Sequence, residues 1–283
     1  MNSIQVGVCG WGDHYDLYPP GTRSRDKLSV YAGHFPIVEL DSSFYAILPQ
    51  RNYETWVRET PDCFGFIVKP HQAMTGHQRS EAPLDRRELF RQFEESIQPL
   101  VAAGKLKALL FQYPPWFDCT REHVQYVQAC RQALDTYPFA VEFRHRSWFE
   151  PRYREKTLDF LRTIGAVHVI CDEPQAGSSC VPVVVAVTDP KLVLIRFHGR
   201  NVSGWNNPGE GQNWRDVRYL YQYSEAELAE WVPRVQEVAR EAAEVCILFN
   251  NNSGGHAAGN AKQFMEMLDV RPTGLNPRQL ELF

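Results

Sequence analysis

The sequence predicts an α/β protein: a (β/α)8 TIM barrel in a single domain, followed by a short tail. Three observations predict it. Short β-rich runs recur eight times along the 283 residues. Helical patterns separate most of them. The runs are continuously apolar, as strands buried on both faces of a helix-wrapped parallel sheet require. No Gly-x-Gly-x-x-Gly follows the first run, so an open dinucleotide-binding sheet lacks its fingerprint. Residues 1–270 are assigned to the barrel and 271–283 to a flexible tail.

The runs are IQVGVCG (4–10), IVELDSSF (37–44), FGFIVKP (64–70), ALLFQYP (108–114), FAVEFRH (139–145), AVHVICD (166–172), LVLIRFHG (192–199) and VCILFNN (245–251). Between the third and fourth, residues 85–103 place Leu89, Phe93, Ile97 and Leu100 on one side, start at Asp85 as N-cap and stop at Gly104. Before the last run, residues 224–242 open on a capping box from Ser224 to Glu227 and space Leu228, Trp231, Val235 and Val238 helically. Pro233 should kink this helix or shift its start. The sixth crossover, EPQAGSSCVPVVVAVTDP, reads as a loop with an extra extended piece.

Apolar residues at 43% and charged residues at 23% describe an ordinary globular chain with enough material for a packed core. A net charge of −4 argues against a generally basic, nucleic-acid-coating surface but leaves room for a local basic face. No apolar run approaches the roughly 18 residues needed to span a bilayer, and MNSIQVGVCGW lacks the character of a signal peptide. A cytoplasmic protein without a membrane partner is expected. The seven cysteines are scattered without Cys-x-x-Cys spacing, so buried thiols are expected rather than zinc or redox chemistry.

Barrel chemistry sits at the C-terminal ends of the strands. Polar side chains interrupt the apolar runs there: Glu39, Asp41, Lys69, Gln112, Glu142, Arg144, His145, Asp172, Arg196, His198, Asn250, Asn251 and Asn252. Side chains alternate along a strand, so Glu39 with Asp41, Glu142 with Arg144, and Arg196 with His198 point the same way, taken as inward. Two readings stay open: a ligand site, or a structural network in which Glu142 bridges Arg196.

Trp11, Trp116, Trp148, Trp205 and Trp214 follow predicted strands and are suited to stack on a sugar or base, or simply to close the mouth. Three chemistries fit the polar set. Glu39 and Glu142 can serve as paired carboxylates for a glycosidic bond. Carboxylates with His145 and His198 can hold a divalent metal, although no His-Glu-x-x-His spacing supports it. Lys69, Arg144, Arg196 and Arg200 can clamp an anion. The Gly254–Gly255 turn is either an anion-binding helix start or a plain strand-to-helix turn. On this reading Glu142, His198 and Glu39 are the candidate catalytic groups. Trp11, Lys69, Gln112, Arg144, Trp148, Arg196, Asn250 and Asn251 are the candidate substrate contacts.

The stretches GVCGWGDHYDLYPPG, VELDSSFYAILPQRNYETWVRETPDCFGFIVKPHQAMTGH, LLFQYPPWF, AVEFRHRSWF, IRFHGR and LFNNNSGGHAAGNAKQF together resemble the domain-of-unknown-function 72 family, also called YecE-like, over residues 4–268. The resemblance implies a TIM barrel similar to the wider group containing endonuclease IV and xylose isomerase, and it implies no activity. Its motif positions fall on Gly10, Trp11, Glu39, Phe44, Tyr45, Lys69, Gln112, Glu142, Arg144, Trp148, Arg196, His198, Gly199, Asn250 and Asn251. The dense histidine and carboxylate cluster of endonuclease IV has no counterpart here.

RPTGLN (271–276) and Pro277 read as a linker leaving the barrel. Gln279, Leu280, Glu281, Leu282 and Phe283 are similar to the bacterial sliding-clamp-binding pentapeptide QL(S/D)LF, with Glu281 as the departure. The alternative is a tail packed on its own barrel. The leading expectation is a barrel acting on nucleic acid or a phosphate-containing metabolite, as hydrolase or binder, recruited to the clamp. The alternatives are a carbohydrate hydrolase and a noncatalytic ligand-binding adaptor.

Overall fold

A computed structural model describes residues 3–78, 85–206 and 217–278. Strands β1 (Ser3–Cys9), β2 (Ile37–Leu40), β3 (Gly65–Val68), β4 (Leu106–Gln112), β5 (Phe139–Glu142), β6 (Val167–Asp172), β7 (Leu192–Phe197) and β8 (Glu244–Phe249) form one closed parallel barrel in sequence order. β8 pairs with β1 to complete the ring. Gly7 permits the β1–β2 approach, since a Cβ there would lie 2.0 Å from the Ile37 carbonyl oxygen.

Several strands stop earlier than the apolar runs suggest. β2 ends at Leu40 because Ser42–Tyr45 turns into a short helix, and β5 ends at Glu142, with a 3-10 turn following at Arg146–Phe149. Apolar character continues past both ends because Phe44, within the short helix, packs against His77, and Phe143, just before the 3-10 turn, stacks on Trp148.

Helix Arg86–Ala102 behaves as its pattern predicts. The Asp85 carboxylate accepts from the Arg87 and Glu88 amides at 3.0 and 3.2 Å, and Phe93, Ile97 and Leu100 are buried. Each such side chain contributes roughly 1.5–3 kcal/mol on leaving water. The Ser224–Glu227 capping box forms, and the helix after it divides into Glu225–Ala229 and Val232–Glu241. Pro233 has no N–H for a helical bond yet suits the first turn of the second helix, so the expected kink is a break.

The sixth crossover has no helix. Residues 173–191 instead lay an irregular extended piece along β6: Thr188 Oγ1 accepts from the His168 amide and donates to the Ala166 carbonyl, both at 2.7 Å. Val181 and Val184 of this piece are buried.

Residues 271–278 do not lead directly away. They run along the N-terminal end of the barrel, where Asn276 Nδ2 donates to the Ser29 and Glu59 carbonyls at 3.0 and 2.8 Å and its amide donates to Ala32 O at 3.1 Å. Gln279, Leu280, Leu282 and Phe283 lie outside the described residues. No helix among the described residues is long and apolar enough to cross a membrane.

Candidate functional site

Register puts the inward polar groups side by side at the C-terminal end of the barrel. Cys9 aligns with Glu39, Gln112 with Glu142, and Cys171 with Arg196. Glu39, Glu142 and Arg196 are 0, 0 and 1% exposed. Arg196 binds Glu39 through two parallel contacts, Nε to Oε2 at 2.8 Å and Nη2 to Oε1 at 2.5 Å. Its Nη1 donates to Glu142 Oε2. Glu142 Oε1 accepts from Gln112 Nε2 at 3.0 Å and Arg144 Nη1 at 2.9 Å. This network is the floor of the mouth.

Burial pushes the Glu142 carboxyl up, but Arg196, His198 and Arg144 outweigh it and hold it well below the usual range. Glu39 lacks so many cations; burial lifts it to about 6 against the pull of Arg196. Burial drives His198 down to about 3, so it is neutral near pH 7. Asn250 Nδ2 lies 3.0 Å from His198 Nδ1, and His198 Nε2 lies 3.2 Å from Glu142 Oε1. An Asn250 amide donating to Nδ1 leaves the proton on Nε2, where it faces the carboxylate instead of opposing it with a lone pair.

Above the floor lies a cavity of about 530 Å3. Lys69, Gln112, Arg144 and Arg218 line it together with Phe44, His77, Trp116, Trp205 and Tyr219. Arg144 and Arg218 share one indole: their Cζ atoms are 4.9 and 4.2 Å from the Trp205 ring centroid. The Trp205 N–H is buried and has no hydrogen-bond partner among the described residues. Burial and the neighbouring Arg144 both push the Arg218 pKa down. Lys69 lies 3.2 Å from Asp41 and 4.8 Å from the Phe44 ring.

The predicted residues therefore separate. Lys69, Gln112 and Arg144 reach the cavity, while Glu39, Glu142, Arg196, His198 and Asn250 form the layer beneath or beside it. Trp148 packs elsewhere, stacked 3.8 Å from Phe143 with its N–H on the Phe117 carbonyl. Trp11 meets Trp56 edge-on at 5.3 Å. Asn251 faces away, holding Asn260 Oδ1 and the Tyr221 carbonyl. Asp172, which aligns with outward Phe197, binds Arg200, Tyr223 and Trp231. His145 caps the Arg146–Phe149 turn through Nδ1. Trp214 lies outside the described residues.

Arg218, Tyr219, His77 and Glu173 are absent from the sequence-based set because they sit outside the strands, where no strand parity applies. Glu173 sits behind Arg144, with Oε2 3.0 Å from Nη1. Glu142, Cys171 and His198 place one potential metal-ligand atom each within 4.8 Å of one another. They do not fit a divalent cation. Burial holds the Cys171 thiol protonated, His198 presents an N–H, and both Glu142 oxygens already accept from guanidinium groups.

Fold and mouth together define a class, a (β/α)8 barrel with a cationic, aromatic-walled cavity over a sealed ionic floor. The chain belongs to the family described as "Protein of unknown function DUF72", whose model matches residues 5–281. It is 53% identical over 281 residues to the UPF0759 protein YunF of Bacillus subtilis, covering 99% of this chain and 100% of that one. It is also similar to a solved DUF72 family protein from Enterococcus faecalis, with a TM-score of 0.91, 36% identity, and 98% and 100% of the two chains covered. A solved relative from Thermotoga maritima gives a TM-score of 0.80 and 33% identity over 94% and 99% of the chains.

Removing one member of a buried ion network strands the others. Arg196→Met should therefore destabilise the fold by about 3–5 kcal/mol in urea unfolding; a loss below about 1 kcal/mol would show that Glu39 and Glu142 do not depend on Arg196.

Proposed function

We propose that the mouth binds an anionic ligand carrying a flat ring, a phosphate-containing metabolite or a nucleotide unit of nucleic acid. The observation that carries this reading is the pair of guanidiniums, Arg144 and Arg218, held against one indole on the wall of a single cavity. Two guanidiniums on one cavity wall can both give charge-assisted hydrogen bonds to an anion placed between them, and the Arg144 charge adds to burial in lowering the Arg218 pKa. Lys69 supplies further positive charge on the same lining, and Trp116, 47% exposed, offers a ring face.

No bond-breaking step is assigned to the mouth. Glu39 and Glu142 are engaged with arginines in the floor, which disfavours them as a glycosidase pair or as hydrolytic bases. The expected experiment is calorimetric titration with a nucleoside 5′-monophosphate, the matching nucleoside and inorganic phosphate. The monophosphate should bind at least about tenfold tighter than either part, and Arg218→Met should weaken it by about tenfold or more. Equal binding of the uncharged nucleoside would contradict the reading.

We also propose that Gln279–Phe283 docks on the bacterial sliding clamp, as an apolar-anchored peptide does. Asn276 is fixed at the N-terminal end of the barrel, away from the mouth, so both sites can be occupied at once. Purified clamp should retain the protein in a pull-down and lose it after Leu282→Ala with Phe283→Ala; unchanged retention would refute the docking.

A further inference from the structure

A carboxylate behind the cavity wall has one oxygen without a well-aligned donor. Glu173 begins the helix-free sixth crossover, and its side chain is 0% exposed. Its Oε1 accepts from the Val181 amide at 2.6 Å. Its Oε2 lies 3.0 Å from Arg144 Nη1 but outside hydrogen-bond alignment, and it has no other hydrogen-bond partner among the described residues. The same Nη1 sits 2.9 Å from Glu142 Oε1. One guanidinium nitrogen is thus divided between two carboxylates on its inner side, while Arg144 also lines the cavity.

From this geometry we infer that anion binding in the mouth is coupled to uptake of one proton by Glu173: the incoming anion competes with the Glu173 carboxylate for Arg144, and protonation of Oε2 removes the competitor. The inference rests on the anion-site reading above and names its regulation. The proton comes from solvent, Arg144 stays charged throughout, and no covalent bond other than O–H forms.

The other charged groups favour Glu173 as the one that responds. Glu142 accepts from Gln112, Arg144 and Arg196, and its ionised form is well held. Glu39 keeps both oxygens on Arg196, which lies in the floor and off the cavity lining. The groups facing Glu173 are Arg144 and Glu142 from the end of β5, Cys171 from β6, Cys180 from its own loop, and Arg218 from the segment entering the mouth. Both thiols are pushed up, chiefly by burial, and stay neutral. Burial likewise raises Glu173, against the opposing pull of Arg144 and the Val181 amide, to about 7. The ligand-free site therefore changes protonation near neutrality, and an anion on Arg144 moves the titration higher still.

Sulfate is the suitable probe, because its charge is constant from about pH 6 to about pH 9. Its dissociation constant for the whole chain should rise by about a hundredfold over that range, approaching about tenfold per pH unit at the alkaline end. Calorimetry near pH 8 in two buffers of different ionisation enthalpy should report about one proton taken up per sulfate. Glu173→Gln keeps an acceptor for the Val181 amide and removes the titration. It should bind sulfate with nearly the same affinity across the range and take up no proton. Wild-type binding that is flat with pH would overturn the coupling while leaving the anion site standing. A slope that survives in Glu173→Gln would overturn the assignment to Glu173. Absence of sulfate binding at every pH would overturn the anion site and the coupling together.

Discussion

Arg196 has both adjacent carboxylates, Glu39 and Glu142, on its single guanidinium in the buried floor of the barrel mouth. Bringing these charges out of water costs several kcal/mol per ion, and only close contacts on nearly every oxygen offset it. That requirement fixes much else. Glu142 must also take Gln112 and Arg144, which orients Arg144 upward from β5. The floor therefore decides which cation reaches the cavity, so the structural network and the proposed ligand site are successive layers of one arrangement.

The sixth crossover shows how a departure from the repeat serves the mouth. A helix after β6 would have packed outside the barrel, as the others do. The extended segment instead sends Glu173 behind Arg144 and Ser179 to the cavity lining, then returns along β6 through Thr188. The Arg146 amide donates to Ser178 O at 2.9 Å, tying this segment to the β5 turn. The wall is thus assembled from irregular backbone held by a regular sheet.

The barrel was legible because strand burial on both faces leaves a strong local mark, and the Glu142–Arg196 contact followed from side-chain alternation. The same alternation, carried from Cys171 to Asp172 and from Asn250 to Asn251, separates inward from outward residues. It explains why Asp172 and Asn251 bind outer elements although they stand at the right end of the barrel. Trp148 was unreadable for a different reason: a tryptophan after a strand can turn outward and stack on Phe143 as readily as inward. Arg218 and Glu173 lie on segments whose path no periodicity dictates, so the pairing of Arg218 with Trp205 and of Glu173 with Arg144 required the folded chain.

We propose that this floor presents a cationic mouth that holds an anion. The most direct measurement is anomalous diffraction from crystals soaked in selenate. A selenium peak is expected in the cavity within hydrogen-bonding reach of Arg144 and of Arg218 or Lys69. A mouth without a peak, in crystals that bind selenate elsewhere, would contradict it.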